Sequence, residues 1–361
     1  MNFDENTFGR QIRVLVVDDS AFMRTALKRM IESDPQLVVV GTASDGKQAL
    51  EKVMELQPEV VTMDVEMPRL NGLEALTRIM ATAPRPVIMI SSLTQEGAEQ
   101  SFEALDRGAF DYIPKQLSYA SLDIVKIREQ LVDKIHAAAE QGPLLQAKRP
   151  ILAPVVASSS HPSSRVFPVP TLICLGTSTG GPKALQQILP ELPANLPVGM
   201  LVVQHMPVGF TGPFARRLNS LCRVEVSEAV ADEPIEAGHV YIAPAGWQMT
   251  TYRRSHSRFA VRLSKIPNNT LHIPSVDVMM LSVAETHSAQ ALGVILTGMG
   301  ADGSVGMKAI FDAGGHTIGQ DEASCAVYGM PRACAELGIL KQVAPLMEVP
   351  HRMLTALGCQ P

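Results

Sequence analysis

The chain has 361 residues, enough for two domains that each bury a core of their own. A hydrophobic content of 46% with a formal charge of -5 fits a water-soluble globular protein, and without a basic field nothing favours nucleic acid as a partner. The acidic start Met1–Asn6 lacks the features of a signal peptide, no apolar run approaches the roughly 20 residues needed to span a bilayer, and five scattered cysteines form no Cys-x-x-Cys pair. These features predict a reducing, cytoplasmic setting without membrane insertion, disulfide framework or zinc site.

The first half alternates short apolar runs with amphipathic stretches. The runs Ile12–Val17, Leu37–Val40, Val60–Met63, Val87–Ile90 and Ala109–Ile113 predict five strands. Helical spacing predicts helices near Ala21–Ile31, Gly46–Leu56, Gly72–Met80, Glu96–Arg107 and Tyr119–Ala138. Such alternation predicts a doubly wound parallel α/β sheet over residues 1–138, with the strand carboxyl ends, where ligands bind, along one edge.

Asp18 and Asp19 follow the first of these strands and Asp64 the third, so all three fall at that edge. Crowded carboxylates repel one another unless a cation sits among them, and an all-oxygen ligand set favours Mg2+. An aspartate beside such an ion can attack a phosphodonor and become an acyl phosphate. Lys115, at the end of the fifth strand, is placed to hold a phosphoryl oxygen, and Ser91, ending the fourth, to hydrogen-bond it. This set, over residues 11–135, closely resembles the receiver domain of two-component response regulators. The resemblance implies Asp64 as phosphoacceptor, Asp18, Asp19 and Asp64 around magnesium, and Ser91, Tyr112 and Lys115 at the family's switch and phosphate-binding positions. It further implies a chemotaxis histidine kinase as phosphodonor. One departure is plain: the family usually has proline after the lysine, whereas here Gln116 follows and Pro114 precedes.

From Gln141 to Pro170 prolines punctuate serines and alanines, which predicts a linker, placed at 139–168. The β/α alternation then resumes over 169–361. Strands are expected at Leu172–Gly176, Val198–Gln204, His239–Ala243 and Leu292–Thr297, and helices at Pro182–Ile188, Phe214–Leu221, Ser275–Glu285 and Ser304–Ala313. A hairpin is expected between Ala245 and Ile273. The fold expected of the whole chain is therefore two doubly wound parallel-sheet domains joined by a linker, the second of them Rossmann-like.

In the second half Gly176-Thr177-Ser178-Thr179-Gly180 fits G-x-S-x-G, the pattern that lifts a serine nucleophile above a sheet on a tight strand-to-helix turn. A glycine-rich turn there also suits a bound phosphate or nucleotide, although no lysine completes a Walker-type loop. A serine needs a base, and His205 also ends an apolar strand; His239, His272, His287 and His316 are not excluded by sequence. Asp302, in Leu296–Gly303, is a carboxylate that would orient the histidine, or else an ordinary helix cap. Three motifs carry a further resemblance: Gly176–Gly181, Gln204-His205-Met206-Pro207 with Gly209-Phe210-Thr211, and Leu296–Gly303. Over residues 169–355 the chain resembles the catalytic domain of chemotaxis protein-glutamate methylesterases. The resemblance implies Ser178, His205 and Asp302 as nucleophile, base and acid. It also implies glutamyl methyl esters and glutamines of methyl-accepting chemotaxis receptors as substrates, and no cofactor for the esterase. Backbone N–H groups of Thr179 and of Met299 are the expected oxyanion donors. A partner-docking module with a vestigial esterase, or a nucleotide-binding regulator, would use the same residues without hydrolysis.

Overall fold

The computed structural model describes residues 10–115, 123–146, 168–255 and 258–359. The chain divides into two compact units, Met1–Ile151 and Leu152–Pro361. The first contains, in order, β1 (Ile12–Val17), α1 (Ala21–Ile31), β2 (Leu37–Ala43), α2 (Gly46–Leu56), β3 (Val60–Asp64), α3 (Gly72–Thr82), β4 (Val87–Ser91), α4 (Gln95–Asp106), β5 (Asp111–Pro114) and α5 (Asp123–Gln146). The strands form one parallel sheet in the order β2-β1-β3-β4-β5. Every residue of β3 and β4 is buried, which is why both read as unbroken apolar runs. Short polar side chains start the helices. Ser20, Asp45, Asn71 and Thr94 each accept a backbone N–H from the first turn of α1, α2, α3 and α4.

α5 runs on to Gln146, so residues 139–146, which composition alone gives to the linker, are helical. Ala137, Ala138, Ala139, Glu140 and Gln141 are strong helix formers, and they carry the helix past the composition boundary. Gln116, the expected helix start at Tyr119, and linker residues 147–167 lie outside the described residues.

The second unit contains β6 (Leu172–Thr177), α6 (Gly181–Ile188), β7 (Gly199–Gln204), α7 (Thr211–Leu221), β8 (Glu225–Glu228), β9 (His239–Ile242), β10 (Gln248–Ser255), β11 (Arg258–Ser264), α8 (Val276–His287), β12 (Ala291–Ile295), α9 (Ser304–Asp312), β13 (His316–Gln320), α10 (Met330–Glu336), β14 (Gln342–Ala344) and α11 (Val349–Ala356). Seven of these strands make a parallel sheet, β14-β13-β12-β6-β7-β9-β8, and β10 and β11 form the expected antiparallel hairpin. Strand order reverses at β6, whose neighbours are β7 on one side and β12 on the other. That is the switch point at which doubly wound sheets open a crevice. The core beneath it packs Leu201, Val203, Val276, Met280, Met307 and Met330.

His287 closes α8 inside this unit, its ring 4.0 Å from that of Phe259 and only 6% of its surface exposed. Burial, helped by the Arg253 charge, lowers its pKa to about 4. The folded state thus keeps His287 neutral where the unfolded chain, with a histidine pKa of about 6.5, binds a proton. Its contribution to stability is complete above pH 6.5 and drains away as pH falls towards 4, by on the order of 3 kcal/mol. Urea unfolding of the second unit at pH 7 and at pH 4.5 should show the loss, and His287→Gln should flatten that slope.

Candidate active sites

In the first unit, β1 and β3 are neighbours at the order reversal, so Asp18 and Asp64 emerge side by side. Asp18 is fully buried, Asp64 nearly so, and Asp19 is exposed. One carboxylate oxygen from each lies within 4.8 Å of the others. Lys115 Nζ donates to Asp64 Oδ2 at 2.5 Å and stands 3.3 Å from Asp18 Oδ2. Asp18 Oδ2 accepts no hydrogen bond among the described residues.

Three carboxylates thus face one ammonium. Burial pushes the Asp64 carboxyl up to about 6 even against the Lys115 hydrogen bond and charge. Burial also raises Asp18. For Lys115, burial favours the neutral amine, but the hydrogen bond and charge of Asp64 outweigh it and the pKa rises. A hard divalent cation fits this pocket: the donors are all oxygens, one buried acceptor is unsatisfied, and negative charge is in excess. Ser91 Oγ meanwhile donates to Gly97 O at 2.8 Å, and the buried Tyr112 ring meets Phe102 edge-on at 6.2 Å.

In the second unit, Thr177 at the end of β6 pairs with Gln204 at the end of β7, so Ser178 and His205 leave adjacent strand ends. Gly180 takes a positive φ of 76° and turns the chain directly into α6. Ser178 N donates to Thr297 O at 3.1 Å, and its carbonyl accepts from Gly181 N at 2.8 Å. Beneath it lies Gly298, where a methyl group would meet Met330 Sδ at 2.2 Å and Ser178 Cβ at 2.9 Å.

His205 Nε2 is 2.8 Å from Asp302 Oδ2, and its other ring nitrogen, Nδ1, is buried without a partner among the described residues. No hydrogen bond joins Nδ1 to Ser178 in this state. His205 and Asp302 are therefore in contact, and Ser178 leaves the neighbouring strand end.

Asp302 is also a helix cap. Its Oδ1 accepts from Ser275 Oγ at 2.8 Å and Asp277 N at 3.1 Å, and its Oδ2 from Val276 N at 2.8 Å. The carboxylate sits on the positive end of α8 and bonds His205 as well, so the capping contact and the histidine contact coexist. Burial alone would raise its pKa. The His205 hydrogen bond and charge, with the Val276 and Asp277 N–H groups, override this and hold the carboxyl well below the usual range. Asp277 returns the contact by accepting from Gly306 N, at 2.8 Å, in the first turn of α9.

Sequence reasoning had no signal for Ser275 and Val276 as partners of Asp302. Nor did it single out His272, whose ring stacks on His205 with centroids 3.9 Å apart. No hydrogen bond from the N–H group of Thr179 or of Met299 is seen among the described residues.

The CheB methylesterase family matches residues 173–353, and the response regulator receiver domain matches residues 14–125. A protein-glutamate methylesterase/protein-glutamine glutaminase of Symbiobacterium thermophilum is 46% identical over 358 residues, covering 97% of this chain and 98% of its own. This chain belongs to that family. A relative from Oleidesulfovibrio alaskensis, carrying the same description with the number 1, is 42% identical over 96% of this chain and 99% of its own. The crystal structure of the Thermotoga maritima CheB methylesterase catalytic domain is 36% identical, with a TM-score of 0.50, covering 52% of this chain and 98% of that one. Membership makes the chain a hydrolase of the methylesterase/glutaminase class under the control of a receiver domain. The receiver match falls on the unit with the five-stranded parallel sheet and the methylesterase match on the unit with the seven-stranded one. Among the described residues no helix is long and apolar enough to cross a membrane.

Proposed function

We propose that Ser178, His205 and Asp302 carry the hydrolysis, acting on glutamyl γ-methyl esters and particular glutamines of methyl-accepting chemotaxis receptors in the cytoplasm. The observation that carries this reading is the His205–Asp302 contact at 2.8 Å, which commits Nε2 and leaves Nδ1 as the free basic nitrogen beside the Ser178 strand end. His205 Nδ1 takes the Ser178 proton as Oγ attacks the γ-carbonyl. The developing oxyanion is met by the N–H groups of Thr179 and Met299, each worth about 2.7–4 kcal/mol to the transition state. The proton passes to the departing methoxide or amide nitrogen, releasing methanol or ammonia. Water, deprotonated by His205, then cleaves the acyl-enzyme to free glutamate and restore Ser178. Asp302 stays ionised throughout and stabilises the imidazolium.

In the receiver, Asp64 accepts the phosphoryl group from a chemotaxis histidine kinase. Asp18, Asp19 and Asp64 would hold Mg2+, which supplies charge neutralisation at the transferring phosphoryl oxygens. Lys115 holds one of those oxygens.

The test is methanol release from methylated receptor membranes, with and without a small acyl phosphate. Ser178-dependent release that rises with the phosphodonor supports the reading, and a chain that binds receptors yet frees no methanol refutes it. Asp302→Asn should lower kcat by about 10²–10⁴-fold, because an amide can neither stabilise the imidazolium nor fix its tautomer as a carboxylate does. Single-turnover methanol release, compared with the wild-type chain, measures this.

A further inference from the structure

We infer that Gln204 is a positioning residue for the hydrolysis, a single amide that holds the nucleophile turn and the base turn in register. Gln204 is the last residue of β7 and is 2% exposed. Its Nε2 donates both of its hydrogens, one to Ser178 O and one to His205 O, each at 3.0 Å. Two main-chain carbonyls, one from each catalytic residue, are thereby fastened to one rigid planar group. Neighbouring strands lie about 4.8 Å apart, and past the last ladder bond nothing in the sheet fixes the spacing of the loops. Beyond Thr177 and Gln204 the ladder contributes only His205 N to Thr177 O, at 3.2 Å. The amide supplies the one further bond across the gap, to Ser178 O, while its second hydrogen holds the carbonyl of the next residue, His205.

The site accepts costs to seat this amide. Gln204 Oε1 is buried with no hydrogen-bond partner among the described residues. An unpaired buried acceptor is destabilising, and its cost offsets part of what the two donated bonds return to the fold. Gly181 makes the room, since a methyl group there would lie 2.0 Å from Oε1. Gly181 has no positive φ to require a glycine, so the close approach of Gln204, with Thr177 Oγ1 at 2.4 Å from the same point, accounts for it. Ser178 O keeps its bond from Gly181 N without Gln204, which limits the structural loss further. A misplacement of about 1 Å in a catalytic pair can cost on the order of 10²-fold in rate.

This inference rests on the serine mechanism proposed above. The experiment compares the full-length chain, Ser178→Ala, Gln204→Met and Gln204→Glu on methylated receptor membranes, with Mg2+ and acetyl phosphate present. It records kcat, KM, melting temperature and the rate at which phenylmethylsulfonyl fluoride modifies Ser178. Gln204→Met should lower kcat 10- to 100-fold, leave KM within about twofold and the melting temperature within a few degrees, and slow sulfonylation in step with kcat. Gln204→Glu should be worse at neutral pH, since a carboxylate would face two carbonyl oxygens, and should recover part of the loss as the carboxyl protonates and regains one donor. Gly181→Ala, which displaces the amide without removing it, should lower kcat to a similar degree. A purely structural Gln204 would move the melting temperature and spare kcat of the folded fraction. A kcat within threefold of wild type in folded Gln204→Met, or sulfonylation at the wild-type rate, overturns the inference. So does a failure of Gln204→Met, Gln204→Glu and Gly181→Ala all to fold, which would assign the residue to folding. A wild-type chain without Ser178-dependent hydrolysis would instead overturn the proposed function.

Discussion

Ser178→Ala is expected to remove essentially all ester hydrolysis, a drop on the order of 10⁶-fold in kcat, while the chain stays folded. Losses of that size follow removal of one member of a catalytic triad, because the remaining members have no nucleophile to activate. The fold should tolerate the change because the bonds that seat residue 178 are main-chain ones. Its N–H donates to Thr297 O, and its carbonyl accepts from Gly181 N and Gln204 Nε2. A methyl group in place of the hydroxymethyl keeps all three and adds nothing to the close contact with Gly298. His205→Ala should be comparably severe, and the double variant should cost little more than either single one, since the residues act as a unit. Methanol release and a thermal melt, measured together, decide the matter. A stable Ser178→Ala chain that keeps more than about a thousandth of wild-type kcat would place the nucleophile elsewhere.

How much of this could be read in advance depended on whether a residue's partners were close in sequence. Asp18, Asp64, Ser178 and His205 were legible because each ends an unbroken apolar run, and parallel sheets deliver such ends to one edge. The glycines around Ser178 announced a turn. Asp302 was legible as a residue but ambiguous as a role. Its carboxylate serves α8 and His205 at once, and the partners Ser275 and Val276 lie at the start of α8, far away in sequence. Gln204 looked like the polar end of a strand, and only the spatial neighbourhood of Ser178 O and His205 O gives its amide a purpose. Among the elements, β8, β13, β14, α10 and α11 escaped notice; β8 and β14 are short sheet edges, with alternating or polar residues such as Glu225-Val226-Ser227-Glu228, and β13 is a short strand opened by His316 and Thr317. The continuation of α5 to Gln146 was masked by Gly142 and Pro143 within its last turns and by the prolines that follow.

Asp64→Asn is expected to abolish phosphorylation of the chain and, with it, the rise in methanol release that a phosphodonor brings. With Mg2+ and acetyl phosphate the unaltered chain should gain one hydroxylamine-labile phosphate, as an aspartyl acyl phosphate requires, and the variant none. The reason is chemical and local. Asp18 is fully buried, with Oδ1 held by Ser20 N at 2.9 Å and Oδ2 3.3 Å from Lys115, and Asp19 is exposed, so neither is expected to replace Asp64 as the acceptor. An asparagine also removes one of three crowded carboxylates, so stability at neutral pH should hold or rise, and loss of function cannot be charged to unfolding. In the phosphorylated chain a phosphoryl oxygen is expected to compete with Gly97 O for the Ser91 hydroxyl, now bonded at 2.8 Å. Ser91→Ala should therefore leave phosphate incorporation intact while weakening its effect on hydrolysis. Chelating the metal should slow incorporation sharply, because the attacking carboxylate, its neighbours and the phosphodonor are all anionic. Incorporation that persists in Asp64→Asn would assign the acceptor to another carboxylate. Basal hydrolysis should remain in that variant, since every residue proposed for the ester chemistry lies in the second unit.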